Sequence, residues 1–255
     1  MNFPLITDPW FYAAAIPAVF LMGLSKSGFG AGFGALAVPL MALSVSVPQA
    51  AAIFMPLLLA MDVIGIAAFR KDIDKPLLRF LLPYGLLGIL AGTLLFKLVS
   101  APLVAGIVGV LTLLFLAQRL LFPPSADAGA LPRWMGRCLI TAAGFTSFVS
   151  HAGGPPYSAY ILRLKLTPLA YTATAAYFYF IINLAKWIPY AWLGLLDLRN
   201  AATSIVLMPI AFLGTWLGIR IARHIQPTLF YRLIYVGMFL TGCKLVWDGF
   251  FRQLH

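Results

Sequence analysis

Two stretches of this 255-residue chain combine small polar and ionisable side chains with backbone that cannot remain helical. One is Ser25-Lys26-Ser27-Gly28-Phe29-Gly30-Ala31-Gly32-Phe33-Gly34, and the other is Ser147-Phe148-Val149-Ser150-His151-Ala152-Gly153-Gly154-Pro155-Pro156. Each glycine of the first would cost a regular helix about 1 kcal/mol relative to alanine. Pro155-Pro156 removes two backbone donors in succession. Each stretch therefore reads as two short helices joined by irregular backbone. The free N–H groups where such a half-helix begins carry partial positive charge and attract anions. Gly28, Gly30, Gly32, Gly153 and Gly154 would present that backbone, and Ser25, Ser27, Ser147 and Ser150 would add hydroxyl donors. The chemistry implied is the binding of a small anion. For a single glycine pattern, close helix packing would be the better explanation; two such breaks favour a site.

Ionisable residues within apolar surroundings extend the list. Lys26 reads either as a counter-charge for the anion or as a side chain reaching for an interface. Asp62 would repel an anion unless paired or protonated, so it is a partner for a lysine or a proton-coupling group. Asn183 and Lys186 stand three residues apart on one helix face, and Tyr190 continues the stripe past Pro189. A buried lysine needs an anion, an acid or water. His151 either couples protons or closes the irregular loop as a neutral hydrogen-bonding group. Tyr157, Tyr177 and Tyr179 could line a cavity, although aromatics in helices more often pack or anchor at interfaces. The sequence has no HExxH, GxSxG or P-loop motif, so no catalytic role is read and no cofactor is implied. Cys138 and Cys243 suggest neither a metal site nor a disulfide.

The elements that must hold these residues are membrane helices. Hydrophobic residues make up 62% of the chain and charged ones 10%, too few to cover a water-soluble fold. Apolar runs occupy roughly 10–46, 48–69, 77–97, 102–122, 134–164, 168–195, 202–222 and 227–248, about eight segments and an all-α polytopic membrane protein. Trp10, Trp134 and Trp247 near segment ends fit an interfacial belt. The first ten residues lack the basic region of a cleaved leader, so the first segment is expected to stay. The excess of 18 Lys and Arg over 7 acids, all Asp, lies mostly in short loops. It reads as positive-inside bias toward an anionic bilayer and not as a nucleic-acid surface.

The chain divides in two. Residues 123–133 form a linker between a first repeat, 1–122, and a second, 134–255. Gly23 to Gly32 spans nine residues, as does Gly144 to Gly153. Pro83, Gly88 and Gly92 keep the spacing of Pro209, Gly214 and Gly218, while Pro48 and Pro102 correspond to Pro168 and Pro227. Asn183 falls near the position matching Asp62. If each broken segment returns to the side it entered from, loop cations divide eleven to three; if each crosses once, nine to five. The positive-inside rule favours the first arrangement, with three full crossings per half, inverted halves and extracytoplasmic termini.

At the breaks the sequence resembles the TauE/SafE family of membrane permeases, also called the sulfite exporter family. The residues that carry the likeness are Gly28 through Gly34 with Pro39 and Leu40, and Gly144 through Pro155 with Tyr160-Ile161-Leu162. Asn183, Lys186, Tyr190 and Gly194 follow. The resemblance covers essentially the whole chain. It implies a secondary transporter in the bacterial cytoplasmic membrane for sulfite, sulfonates such as sulfoacetate, or 2-oxo acids. An anion channel or a membrane-embedded scaffold or enzyme is the alternative, and a homo-oligomer stays open.

Overall fold

A computed structural model describes residues 5–26, 34–69, 72–122, 129, 131–221 and 227–251. Among the described residues there are ten α-helices, one 3-10 turn and no strand. The helices are α1 (Pro9–Leu24), α2 (Gly34–Met41), α3 (Val47–Phe69), α4 (Lys75–Leu98), α5 (Ala101–Leu121), α6 (Arg133–Ser150), α7 (Gly154–Ile161), α8 (Pro168–Trp192), α9 (Leu198–Ile221) and α10 (Pro227–Phe250). Starts follow local chemistry. The side chains of Asp8, Asp74 and Thr167 accept from the amides of Trp10, Leu77 and Ala170, satisfying donors that have no partner within the helix. A proline occupies the first turn in each of these three helices, where its missing N–H costs nothing.

Among the described residues four helices, α3, α4, α5 and α9, have the length and hydropathy of full membrane crossings. That signature covers four of the eight apolar segments read from the sequence. The outer surface suits lipid. Trp10, Ile188 and Leu198 are 79%, 78% and 81% exposed, and a water-facing surface would not carry so many bare apolar side chains.

Both broken segments divide into a pair of helices. In the second, α6 ends in a left-handed turn at His151 (φ 52°), and α7 starts after Gly153. The pair is a hairpin: Gly136 near the start of α6 lies against the Tyr160 ring at the end of α7. In the first, α1 and α2 pack on each other, with Gly34 against Ser25 and Met22. Gly28, Gly30, Gly32 and Ser27 lie outside the described residues.

The packing between the two series of five helices is reciprocal. The first helix of each contacts the fourth of the other, α1 on α9 and α6 on α4, while α3 meets α8 and α5 meets α10. Glycines set three of these crossings, α5 on α10 through Gly109 and Gly249 among them. A Cβ on Gly23 would sit 2.7 Å from the Thr215 amide nitrogen, and one on Gly214 would sit 2.6 Å from the Phe20 carbonyl oxygen. A Cβ on Gly144 would run into the Gly85 backbone, and one on Gly88 into that of Thr141 and Phe145. In lipid, where apolar burial does not drive helices together, such close approach holds them. Gly144→Ala and Gly23→Ala must each push a pair of helix backbones away from one another, and each is expected to destabilise by about 2 kcal/mol. Gly129→Ala, where a Cβ meets nothing within 4 Å, serves as the silent control. Thermal unfolding in detergent measures the three.

Candidate functional site

A cavity of about 130 Å³ lies between α1, α3, α8 and the two breaks. Four helix ends reach its wall: Ser25 and Lys26 follow α1, Gly34 opens α2, Ser147 lies in the last turn of α6, and Gly154 opens α7. His151 joins them from the turn between α6 and α7. Leu58, Met61, Asp62 and Gly65 of α3 line another side at helical spacing. The long wall is α8, with Tyr171, Thr172, Ala175, Ala176, Tyr179 and Asn183.

Asp62 is 3% exposed, and both of its oxygens are engaged. Oδ1 accepts from Lys26 Nζ at 2.5 Å and Oδ2 from Asn183 Nδ2 at 2.5 Å. The pairing reading of Asp62 therefore matches the geometry. Lys26 Nζ also lies 5.2 Å from the centroid of the Tyr179 ring. Asn183 and Asp62, placed at similar depth by sequence, meet across the contact between α3 and α8.

Lys186 is completely buried. Its ammonium donates to the Ser147 carbonyl at 2.9 Å, to Ser147 Oγ at 3.1 Å and to His151 Nδ1 at 2.9 Å. Three donors thus meet three acceptors, none of them a carboxylate. His151 Nε2 lies 2.9 Å from the Ala51 carbonyl, a contact that calls for a proton on Nε2, while Nδ1 lies 2.9 Å from Lys186 Nζ and 3.1 Å from the Ser147 carbonyl. These contacts close the turn and tie it to α3.

The same contacts answer a general problem of broken helices. The carbonyls at the end of α6 run out of helical amides, and at membrane depth water cannot serve them; the His151 and Ala152 amides reach those of Ser147 and Thr146 at 3.1 and 3.2 Å, and side chains add to these. Lys186 takes the Ser147 carbonyl, Tyr190 Oη donates to the Phe148 carbonyl at 2.7 Å, and Ser150 Oγ donates to the Thr146 carbonyl at 3.3 Å. The cation also opposes the negative end of the α6 dipole. The stripe Asn183, Lys186, Tyr190 is one continuous face of α8 turned to α3 and the α6 end.

Of the residues singled out by sequence, Ser25, Lys26, Asp62, Ser147, His151, Gly154, Tyr157, Tyr179 and Asn183 line the cavity, and Tyr177 is not part of its wall. Ser150, Gly153 and Lys186 stand behind the lining: the Ser150 hydroxyl turns back onto its own helix, and Gly153 packs against Ala143 and Ser147. Tyr171, Thr172, Ala175 and Ala176 were not singled out. They extend the Asn183–Tyr179 face toward the start of α8 at intervals of three to four residues, and that periodicity was the available signal. No group of three or more potential metal ligands occurs among the described residues.

A family model described as Sulfite exporter TauE/SafE matches residues 15–245. The chain belongs to the sulfite exporter TauE/SafE family. Its match runs from within α1 to within α10, so both breaks and the entire cavity lie inside the family region. TauE/SafE membership makes it a membrane transport protein, in keeping with its apolar helices. No curated protein and no solved structure matches the chain.

Proposed function

We propose that this TauE/SafE protein is a secondary permease for a small anion: an organosulfonate such as sulfoacetate, sulfite, or a related organic acid. The observation that carries the reading is the charge of the cavity. Lys26 and Asp62 cancel, whereas Lys186 faces no carboxylate among the described residues, so its buried amine can hold a positive charge at low cost only with an anion nearby. Such a charge is costly in lipid unless an anion visits it. Ser147 and His151, which bind Lys186, both line the cavity and pass its field to any occupant.

Residues 1–122 and 134–255 are read as inverted halves, with the site between their broken helices. Reciprocal packing of α1 on α9 and α6 on α4, and the return of α7 along α6, support this arrangement. Alternating access then rocks one half against the other around the cavity. The family points to the bacterial cytoplasmic membrane, and the loop charges favour both termini outside. The absence of any P-loop motif in the sequence favours secondary over ATP-driven transport.

The test is a thermal-shift screen of the purified protein against small anions. Sulfite, short sulfonates and 2-oxo acids are expected to raise the unfolding temperature in proportion to the logarithm of concentration, because they bind only the folded state. Stabilisation by cations or lipid alone would contradict an anion permease.

A further inference from the structure

Lys186 Nζ and His151 Nδ1 are two basic nitrogens 2.9 Å apart, and neither side chain bonds a carboxylate among the described residues. Like charges at that separation cannot both stand in a buried site, so the pair holds at most one extra proton. An amine is far more basic than an imidazole, which places that proton on Nζ. The other charged and titratable groups around Lys186 are Asp62 on α3, Lys26 after α1 and Tyr190 on α8 itself. Asp62 and Lys26 are engaged with each other, and Tyr190 Oη with the Phe148 carbonyl. The end of α6 presents Ser147, which does not titrate. Before an anion arrives, nothing offsets a charge on Nζ, and a fully buried amine so placed stays neutral.

The contacts of Nζ fit both charge states. A neutral amine has two N–H donors, for the Ser147 carbonyl and His151 Nδ1, and one lone pair, which accepts from Ser147 Oγ. An ammonium donates to all three. Ser147 Oγ is the group that reverses, donating to the amine and accepting from the ammonium. Other buried hydroxyls, on Thr146, Ser150, Ser204 and Thr215, donate to the carbonyl four residues back. Ser147, which lines the cavity, bonds across to α8 instead. Once Nζ is charged, the Ser147 hydroxyl hydrogen is released from it and can turn to an anion in the cavity.

Resting on the anion-permease reading, we infer that the protein is a proton–anion cotransporter: each anion binds with one proton, Lys186 holds that proton, and the Ser147 hydroxyl turns from the amine to the anion. The proton comes from water on the side where the anion enters and adds to the Nζ lone pair. It leaves with the anion on the other side, restoring the neutral amine. Carriage of a monoanion is then electroneutral, and a proton gradient drives it.

Isothermal titration of the purified protein with sulfoacetate and with methanesulfonate, both fully ionised near neutral pH, tests this in Tris and in bis-Tris. The two buffers release protons with different enthalpies, so the difference in binding heat counts the protons taken up. The wild type is expected to take up about one proton per anion, and its affinity to fall about tenfold for each unit rise in pH. Lys186→Met should bind more weakly, with no proton uptake and a flat pH profile. His151→Gln, which keeps the amine, should still take up about one proton. Ser147→Ala should lose about tenfold in affinity and keep the uptake. Wild-type binding without proton uptake would overturn the inference and leave the permease reading standing. Uptake that survives Lys186→Met, or that vanishes in His151→Gln while binding persists, would take the proton off Lys186 and overturn its role. Unchanged affinity in Ser147→Ala would overturn the hydroxyl switch. If neither anion binds, and none does in the thermal-shift screen, the permease reading falls and this inference with it.

Discussion

Asp62→Ala is expected to destabilise the protein by about 3 kcal/mol, since removing one member of a buried ion pair strands the other. The stranded groups are named by the geometry: the Lys26 ammonium loses its carboxylate, and the Asn183 amide loses its acceptor. The partial exposure of Lys26, 18% of its side chain, places the value at the lower end of what such losses cost. Lys26→Met combined with Asp62→Ala should recover some of the loss, because no charge is then left alone. That recovery is the coupling energy a double-mutant cycle isolates, measured by thermal unfolding in detergent. Strictly additive losses would mean that the pair is not coupled. Asp62→Asn, which keeps an acceptor for one neighbour, should fall between the wild type and Asp62→Ala.

The second large effect is on binding. Lys186→Met keeps the length of the side chain and removes the amine that would carry charge beside a bound anion. A unit charge about 8 Å from a bound anion, at an effective dielectric of about 20, contributes about 2 kcal/mol. Anion affinity should therefore fall about thirtyfold, with a matching loss of flux at low substrate. The carbonyl and hydroxyl of Ser147 and Nδ1 of His151 lose their shared donor, so some stability is lost as well. Lys186→Arg should not restore binding, because a planar guanidinium cannot reproduce three converging bonds from one nitrogen in a fully buried space. Calorimetric titration separates the two effects, since affinity is read on whatever protein remains folded. Unchanged affinity in Lys186→Met would remove the electrostatic basis of the proposed site.

Much of this arrangement could be read from sequence because glycine, proline and rare polar residues have few structural explanations inside an apolar chain. Asp62, Asn183 and Lys186 could not stand unpaired in lipid, and their shared face on α8 follows, for Asn183 and Lys186, from helical spacing. The reciprocal glycines were legible as matched punctuation, Gly23 with Gly144 and Gly88 with Gly214. Their meeting across the halves, Gly23 on Gly214 and Gly88 on Gly144, needed three dimensions. Partner choice was less legible. Sequence spacing could not say that Lys26 pairs with Asp62 while Lys186 takes a carbonyl, a hydroxyl and an imidazole, because those partners lie 36 and 35 to 39 residues away along the chain. Nor could it show that the Ser150 hydroxyl turns back onto Thr146, since a serine at a helix end bonds its own backbone or a ligand with equal ease. The small residues Ala175 and Ala176 carried no chemical signal by themselves. They matter because they leave the space that larger side chains would fill.

The central claim, a carrier that alternates around one anion site, is tested most directly by counterflow in proteoliposomes. Vesicles are loaded with unlabelled sulfonate or sulfite at high concentration, and uptake of a trace of the labelled anion is followed. A carrier exchanges one anion for the other across a single site, so labelled anion should accumulate transiently above its equilibrium level, with saturable dependence on outside concentration. Lys186→Met should abolish that overshoot at the same protein density. Flux that rises linearly with concentration and shows no overshoot would contradict alternating access and indicate a continuous pore.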